Sequence, residues 1–284
     1  MKISDIIPLF RPHQWYKNLA IFLAIIFSQN ILNLNYLEKT FYGFLILIII
    51  SSTNYILNDL IDIKRDHINP EKRKRPLASG RITKKFAIIT FLILLFSGLT
   101  LAYSINLLFF YSVLGMFILS TLYTFYLKNI IFADLLAISS LFVLRAIAGA
   151  VIINVQISPW LIIGVFFLAL FLVTGKRYGE LNFLKEKSSD HRNVLGSYSK
   201  KLLFSLFDIF LAILILSFAL YSISSKYKYL ILTTPLFIYI LLRYYFLILS
   251  NNKIIRNPEK AITDPPLLIA TILFIILSLI LIML

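Results

Sequence analysis

The chain has 284 residues, of which 60% are hydrophobic and 14% charged, and its mean hydropathy is +0.87. This apolar fraction is above that of average globular domains and excludes a soluble protein. The absence of cysteine excludes disulfides, thiolate catalysis and cysteine-ligated metals, and three histidines argue against a histidine-built zinc site. The net charge is +15, but Lys and Arg concentrated in loops orient a membrane protein and attract anionic lipid, so we expect membrane lipids and no nucleic acid as partners.

Apolar runs of about 20 residues recur along the chain, the length needed to cross a hydrocarbon layer of roughly 30 Å. Residues 1–18 place Trp15 and Tyr16 beside cationic side chains, which predicts an interfacial segment. The expected fold is an all-α polytopic membrane protein, with residues 1–284 forming a single integral-membrane domain. We predict nine transmembrane helices, at 19–34, 41–60, 85–104, 107–127, 131–153, 159–176, 203–224, 229–250 and 266–284.

The orientation follows from the Lys and Arg residues between these spans. One side collects 23 of the 28 and the other side three, while Arg145 and Arg243 lie within spans. The positive-inside rule therefore predicts a cytoplasmic N-terminus, cytoplasmic loops at 61–84 and 178–200, and Leu284 on the outer side. We expect a multi-pass protein of the bacterial inner (plasma) membrane with its active site facing the cytoplasm.

The stretch from Asn58 to Lys85 begins with acidic residues that continue an apolar helix. If it is helical, Asn58, Asp62 and Asp66 recur every four residues and share one face, about 6 Å apart, with Asp59 at its edge. Such carboxylates repel one another unless a cation lies between them, and Mg²⁺ commonly shares one or two carboxylates with a substrate phosphate. We predict Asn58, Asp62 and Asp66 as Mg²⁺ ligands and Asp59, Asp62 and Asp66 as catalytic; a solvated charged loop is the alternative.

Two basic segments follow. Pro76 and Gly80 let the chain turn back after Asp66, so that a loop bearing Arg73, Arg75 and Arg81 can cover the carboxylates; charge that only sets topology is the alternative. Later, Lys176 and Arg177 end the sixth predicted span at helical spacing with Glu180. They can bind a pyrophosphate or a ribose phosphate, although cationic side chains also reach towards water at the ends of ordinary spans.

Charged residues also occur within predicted spans. Arg145 lies in the middle of one, where a charge is expensive and normally faces a polar cavity. We expect Asp134 to share that cavity with the nearby Lys128, and Tyr123 is a headgroup anchor or a ligand. Arg243 invites the same interpretation as Arg145. Before the last span, the stretch from Arg256 to Asp264 predicts a helix cap or a salt bridge.

The acidic run Asn58-Asp59-x-x-Asp62-x-x-x-Asp66 and the run from Arg75 to Ile82 resemble the UbiA-type intramembrane prenyltransferase superfamily. The resemblance covers essentially the whole chain and implies a UbiA-like helical bundle with a cytoplasm-facing cavity. Most members carry a second aspartate-rich motif after the sixth span. This chain has Gly175-Lys176-Arg177-Tyr178-Gly179-Glu180 there instead, which departs from ordinary prenyl-diphosphate chemistry.

One branch of the superfamily resembles this chain more closely. The runs Arg11–Asn18, Leu144–Gly149, Gly175–Tyr178 and Pro258–Asp264 are similar to those of decaprenyl-phosphate phosphoribosyltransferases. The resemblance implies Mg²⁺-dependent transfer of 5-phosphoribose from phosphoribosyl pyrophosphate (PRPP) to a polyprenyl phosphate, for cell-envelope glycolipid synthesis. The predicted substrate-binding residues are Lys17, Asn58, Arg73, Arg75, Arg81, Tyr123, Lys128, Asp134, Arg145, Lys176, Arg177 and Tyr178.

Two other functions stay open at this point. The first is prenyl transfer from a polyprenyl diphosphate to an aromatic or other small acceptor, which a retained second acidic motif would favour. The second is a lipid transporter, which would predict repeat symmetry and would need no metal-binding carboxylates. Homo-oligomerisation is compatible with each of these functions.

Overall fold

The computed structural model of the chain describes residues 3–68, 72–184, 196–227, 229–250 and 263–283. These residues form helices and connecting turns, with no strand among them. The α-helices are α1 Ile3–Phe10, α2 Leu23–Phe27, α3 Leu34–Ile61, α4 Ile63–Ile68, α5 Lys84–Ile105, α6 Leu107–Phe125, α7 Ala133–Ile152, α8 Pro159–Leu184, α9 Lys200–Ser224, α10 Thr234–Leu249 and α11 Pro265–Met283. Short 3-10 helices occupy Pro12–Phe22, Lys72–Lys74, Leu127–Asn129 and Leu230–Thr233.

Eight helical stretches of the described residues are long and apolar enough to cross a membrane. They are Leu34–Ile61, Lys84–Ile105, Leu107–Phe125, Ala133–Ile152, Pro159–Leu181, Lys200–Ser224, Leu230–Leu249 and Pro265–Met283. They correspond to the second to ninth predicted spans, so the all-α membrane fold is confirmed. Helix α8 continues beyond the predicted end at residue 176 and includes the basic segment, while residues 185–195 of the predicted 178–200 loop lie outside the described residues.

The predicted span at 19–34 differs from a single long α-helix. Residues 19–27 of it lie at the end of the 3-10 helix Pro12–Phe22 and in the five-residue α2 that follows directly, and turns lead from there to α3 at Leu34. A 3-10 helix rises about 2.0 Å per residue against 1.5 Å in an α-helix, so the two together extend roughly 30 Å. That length equals the thickness of the hydrocarbon layer. This segment and the predicted span both contain 16 residues, so the segment starts seven residues earlier than predicted, and it is not among the eight helices of the described residues that are long and apolar enough to span.

Polar side chains mark where the long helices begin. Asn33, Thr83, Asn106 and Ser199 each precede a helix, and each accepts a hydrogen bond from a backbone N–H of the first turn. These N–H groups have no partner within the helix, so a side-chain cap stabilises each start, typically by about 1 kcal/mol. The caps lie at the ends of apolar runs, which is why run length predicts most helix bounds well.

The chain forms two compact units. Unit 1 comprises Met1–Leu127 and Leu144–Gln156, and unit 2 comprises Lys128–Val143 and Ile157–Leu284. In unit 1, Leu9 of α1 packs with Ile56 of α3 and with Leu77, Ile82 and Ala87. This contact places the N-terminal segment directly against the loop that follows α4.

Unit 2 has an aromatic core between its helices. Phe171 of α8 stacks on Phe207 of α9 with ring centroids 4.2 Å apart, and Tyr244 of α10 packs against Phe171 at 5.6 Å. Leu267 of α11 completes this buried cluster. The single-domain assignment from the sequence stays a prediction.

Gly149 of α7 allows the closest backbone approach in unit 1. A methyl group at this position would lie 1.9 Å from the carbonyl oxygen of Ile21. The two backbones would have to separate, so we expect Gly149→Ala to destabilise the protein by about 1–3 kcal/mol. Melting temperature in detergent measures the effect. Gly115→Ala in α6 is the matched control, because a methyl group there meets no atom within 4 Å; equal melting temperatures for the two variants would contradict the prediction.

Candidate functional site

Two buried carboxylates in unit 1 converge on one cation. Asp59 lies in the last turn of α3 and Asp66 in α4, and their exposed fractions are 2% and 3%. The Nη1 atom of Arg75 lies 3.0 Å from the Asp59 Oδ1 atom and 2.6 Å from the Asp66 Oδ2 atom. A single nitrogen thus occupies the position between the acids where the sequence called for a positive charge.

The helical face predicted over residues 58–66 is interrupted. Asp62 caps α3 with φ −90° and ψ 9°, although its N–H still donates to the Asn58 carbonyl oxygen at 2.9 Å. This turn separates α3 from α4, and the two acids bridged by Arg75 are Asp59 and Asp66, seven residues apart. Asn58 and Asp62 are partly exposed nearby in the chain. Their roles as metal ligands stay predictions.

Arg11 is a second cation on Asp59 that residue spacing did not identify. Its Nη2 atom donates to the Asp59 carboxylate, and its guanidinium lies 5.0 Å from the centre of the Tyr55 ring. Arg11 adopts a left-handed backbone conformation with φ 51°, directly before Pro12. Proline disfavours the right-handed helical region for the preceding residue. The Arg-Pro pair was therefore a local signal, but its partner lies 48 residues away.

The carboxylates fit a magnesium ion that is shared with a substrate. Among the described residues, no three His, Asp or Glu side chains are grouped closely enough to form a metal site by themselves. Mg²⁺ is usually held by one or two carboxylates together with substrate phosphates and water. Asp59 and Asp66 would supply the two carboxylates of that donor set. The position between them already holds a cationic group, the Arg75 guanidinium.

The loop after α4 also forms a basic pocket of about 630 Å³. It is lined by His67, Arg73, Lys74, Ala78, Ser79 and Arg81. The Arg81 guanidinium is fixed by the Ser79 hydroxyl and by Asp5, each at 3.0 Å. Arg73 and Lys74 are exposed, and their charged groups have no partner within the described part of the chain. Of the three loop arginines predicted to cover the carboxylates, Arg75 contacts them, whereas Arg73 and Arg81 face this pocket.

Arg145 lies in a buried polar cluster of unit 1. Its Nε atom donates to the Asn18 Oδ1 atom at 2.8 Å, and the Ser51 hydroxyl donates to the same oxygen at 3.0 Å. Arg145 and Asn18 are 7% and 0% exposed. Its placement agrees with the expectation that a mid-span arginine faces a polar interior. Asn18 was part of the N-terminal run but was not singled out.

Trp15 also has a different environment from the predicted interfacial one. Its indole Nε1 donates to the Phe10 carbonyl oxygen at 3.2 Å and to the Ser52 hydroxyl at 3.3 Å. The N-terminal segment is therefore bonded to α3 instead of resting only in the headgroup layer.

Arg177 of unit 2 is engaged in a buried ion cluster. Its Nε atom donates to Asp134 and its Nη1 atom to Glu180, both at 2.8 Å, and Arg177 is 2% exposed. The Tyr198 hydroxyl donates to the Asp134 carboxylate at 2.7 Å and accepts from the Phe132 N–H. Burial and the bond to Asp134 raise the pKa of Tyr198. Asp134 and Glu180 are thus the ion-pair partners of Arg177. No sequence pattern had pointed to Tyr198.

The remaining predicted ligands are distributed over both units. Unit 1 contains Lys17 and Tyr123, which are partly exposed. Unit 2 contains Lys128, which is buried, and Lys176 and Tyr178, which are partly exposed in α8. Tyr178 packs against the Phe204 ring at 6.0 Å between centroids. Their roles in substrate binding stay predictions.

Arg243 and Asp264 join α10 to the start of α11. The Arg243 Nε and Nη2 atoms lie 3.1 and 2.9 Å from the two oxygens of Asp264, and Asp264 also accepts from the Leu267 N–H. The Arg243 hydrogen bonds hold the pKa of Asp264 below its usual value. Asp264 is thus both the helix cap and the salt-bridge partner that the sequence suggested, and Arg243 has a structural partner.

The chain is similar to known membrane transferases. The sequence profile of the UbiA prenyltransferase family matches residues 19–257. The decaprenyl-phosphate phosphoribosyltransferase of Mycolicibacterium smegmatis is 29% identical over 229 residues, which cover 78% of this chain and 71% of that protein. The protein of the same name from Corynebacterium glutamicum is 29% identical over 223 residues, covering 77% and 67%.

Among solved structures, a UbiA homolog from Archaeoglobus fulgidus bound to GPP and Mg²⁺ has the same fold. Its TM-score is 0.76 at 23% identity, and the superposition covers 99% of this chain and 100% of that one. The profile match includes the acidic run, the basic loop and Arg177, and the fold agrees along the whole chain. Together these findings confirm the resemblance and a prenyltransferase-type enzyme: the chain belongs to the UbiA prenyltransferase family.

Proposed function

We propose that this chain transfers 5-phosphoribose from PRPP to a polyprenyl phosphate and releases pyrophosphate. The observation that carries the proposal is the single cation position between Asp59 and Asp66, next in the chain to a basic pocket. PRPP carries a pyrophosphate at one end and a 5-phosphate at the other, so it needs a metal-binding acidic site and a basic site. The similar proteins named decaprenyl-phosphate phosphoribosyltransferase support the same substrates.

The carboxylates serve the pyrophosphate end of the donor. Mg²⁺ bound there would neutralise the charge that develops on the departing pyrophosphate. Asp59 and Asp66 would hold the ion, with Asn58 and Asp62 as the predicted further ligands. Arg11 and Arg75 already lie against these acids, so their guanidinium groups are placed to bind pyrophosphate oxygens once the carboxylates bind the ion.

The basic pocket suits the 5-phosphate of the donor. Arg73 and Lys74 carry charged groups without a described protein partner, and Arg81 is already fixed in place by Asp5 and Ser79. A phosphate accepts hydrogen bonds from such groups, and each charged bond contributes about 1.5–3 kcal/mol. Both ends of PRPP therefore find partners within unit 1.

The chemistry at the anomeric carbon needs little from the protein besides placement. A phosphate oxygen of the lipid attacks C1 of the ribose, the bond from C1 to pyrophosphate breaks, and its electron pair leaves with pyrophosphate. The nucleophile is already ionised at neutral pH, so no general base is required. The energetic problem is to bring two polyanions together, which a cation-rich site solves by electrostatic stabilisation.

We further infer that the site faces the cytoplasm at the inner membrane of a bacterium. The carboxylates and the basic pocket lie at the end of α3 that the charge distribution assigns to the cytoplasm. PRPP is a soluble polyanion, so it must reach the site from water. Polyprenyl phosphate reaches it from the lipid phase.

The alternative is prenyl transfer from a polyprenyl diphosphate to a small acceptor. The neighbour of the same fold bound to GPP and Mg²⁺ favours it, because GPP is a prenyl diphosphate. In unit 2, however, the position of a second acidic cluster carries Lys176 and Arg177, and the nearest acids, Asp134 and Glu180, are paired with Arg177. These two carboxylates are thus already paired with a cation.

The test uses the purified full chain in nanodiscs. We expect pyrophosphate release from PRPP that requires both polyprenyl phosphate and Mg²⁺, with a phosphoribosylated lipid as the product by mass spectrometry. The parallel reaction supplies a polyprenyl diphosphate and an aromatic acceptor. Product in the second reaction and none in the first would replace the proposal with the alternative.

A further inference from the structure

A row of polar groups follows one face of α3 from the carboxylates into the apolar part of unit 1. Ser51, Tyr55 and Asp59 are spaced four residues apart, so they share a face and extend over about 12 Å. Ser51 and Arg145 both donate to the Asn18 Oδ1 atom, and the Arg11 guanidinium lies 5.0 Å from the centre of the Tyr55 ring. The row therefore connects the donor site at Asp59 with Arg145 deep in the span.

At the inner end of this row, one side-chain amide is a hydrogen-bond donor without an acceptor. The Nδ2 group of Asn18 is completely buried and has no acceptor within the described part of the chain. Asn18 already uses its oxygen for Arg145 and Ser51, so its N–H bonds remain available. A buried donor without an acceptor is costly, and an intramembrane arginine usually marks a substrate path. A phosphate oxygen here would accept a hydrogen bond from the Asn18 Nδ2 group and lie next to the Arg145 charge.

The geometry of the reaction indicates which anion binds there. This step rests on the proposed function. A nucleophile that displaces pyrophosphate must approach C1 from the side opposite to it. Pyrophosphate is bound at the Asp59 end of the row, so the nucleophile has to lie further along α3, towards the middle of the span. A lipid phosphate can occupy that depth, because its apolar isoprenoid chain partitions into the hydrocarbon layer.

We propose that Arg145 and Asn18 bind the phosphate of the polyprenyl phosphate acceptor. Arg145 supplies charge and Asn18 supplies an N–H donor, while Tyr55 is partly exposed between this site and Arg11. The shared chemistry is a phosphate group with free anionic oxygens, which inorganic phosphate also offers. The acceptor differs from free phosphate in carrying an isoprenoid tail.

Asn18→Asp tests the site against a purely structural role. The substitution keeps the shape of the side chain and places a carboxylate beside Arg145. If the cluster only clamps the N-terminal segment to α3 and α7, the new ion pair keeps or raises the melting temperature and leaves lipid binding unchanged. If the cluster binds phosphate, the carboxylate repels the acceptor and competes for Arg145. We expect its affinity to fall roughly 10- to 150-fold, with an unchanged or higher melting temperature.

Binding is measured without PRPP, so that the outcome does not depend on turnover. Native mass spectrometry compares polyprenyl phosphate, polyprenol and inorganic phosphate on the wild type and on Asn18→Asp. The expected result is phosphate-dependent binding of the lipid that Asn18→Asp weakens, while polyprenol binds equally weakly to both. Arg145→Lys should weaken lipid binding as well, and Arg243→Lys, at an arginine of α10, should not.

The outcomes separate the site from the proposed function. Equal affinity of wild type and Asn18→Asp for polyprenyl phosphate would overturn the site, even if the enzyme uses PRPP. Competition by inorganic phosphate as strong as by the lipid would overturn the assignment to a lipid. Weakened lipid binding with no PRPP turnover in the wild type would sustain the site and refute the proposed reaction.

Discussion

Asp62→Ala and Asp66→Ala are each expected to lower turnover by roughly 10²- to 10³-fold, the loss typical of removing one electrostatic contact to a developing charge. Asp66 forms one side of the cation position that Arg75 fills, and Asp62 is the predicted further ligand at the end of α3. Each substitution weakens the hold on Mg²⁺ and thereby on the leaving pyrophosphate. Initial rates of pyrophosphate release over a range of Mg²⁺ concentrations measure the effect.

Substitutions of Asp59 and Asp62 should differ in their effects on stability. Asp59 is buried between Arg11 and Arg75, so Asp59→Ala removes the carboxylate that both guanidinium groups contact. We expect it to lower the free energy of unfolding by on the order of 3 kcal/mol and also to lower activity. Asp62 is partly exposed, so its removal should spare the melting temperature. Glu38→Ala, an exposed acid at the other end of α3, is the control. Wild-type rates in both Asp62→Ala and Asp66→Ala would remove the metal from the assignment.

Hydropathy predicted the membrane helices well because run length and polar caps act locally. The eight long helices follow apolar runs, and residues such as Asn33 and Thr83 mark their starts. The same reasoning fails for 12–27, where 3-10 winding changes the rise per residue. That winding depends on contacts with α3 and α7, including the approach of Ile21 to Gly149, and such contacts leave no periodic signal.

The acidic and basic runs were recognisable as one site, but their pairing was not. Spacing placed Asp62 and Asp66 on one face and left Asp59 at its edge. The turn at Asp62 instead brings Asp59 and Asp66 to Arg75, and Arg11 arrives from the N-terminal segment. Asp59 and Asp66 are seven residues apart, which is about two helical turns, so spacing allowed this pair as well as Asp62 with Asp66 and could not choose between them.

Unit 2 shows how tertiary contacts change the meaning of a charged residue. Lys176 and Arg177 are neighbours in the sequence and were predicted together as phosphate ligands. Arg177 points to Asp134, which lies 43 residues earlier, and to Glu180 one turn later. Only the pair with Glu180 has a local spacing that predicts a contact. Lys176 remains a predicted phosphate ligand.

The two neighbours should therefore respond differently to substitution. Arg177→Ala leaves Asp134 buried without its charge partner, and we expect a loss of about 3–5 kcal/mol in the free energy of unfolding. Lys176→Ala should leave stability nearly unchanged, because Lys176 is partly exposed. If Lys176 binds a donor phosphate, Lys176→Ala should lower PRPP affinity roughly 30- to 150-fold, and Lys176→Asp should lower it further.

Melting temperature in detergent and PRPP binding are measured side by side on the three variants and the wild type. The double variant Asp134→Leu with Arg177→Met supplies the rescue, since replacing a whole buried ion pair by apolar residues of similar volume is often neutral. The double variant should therefore melt well above Arg177→Ala, even though Tyr198 loses its acceptor. An Arg177→Ala protein with wild-type stability and reduced PRPP affinity would show that Arg177 serves the ligand and that the ion cluster contributes little to the fold.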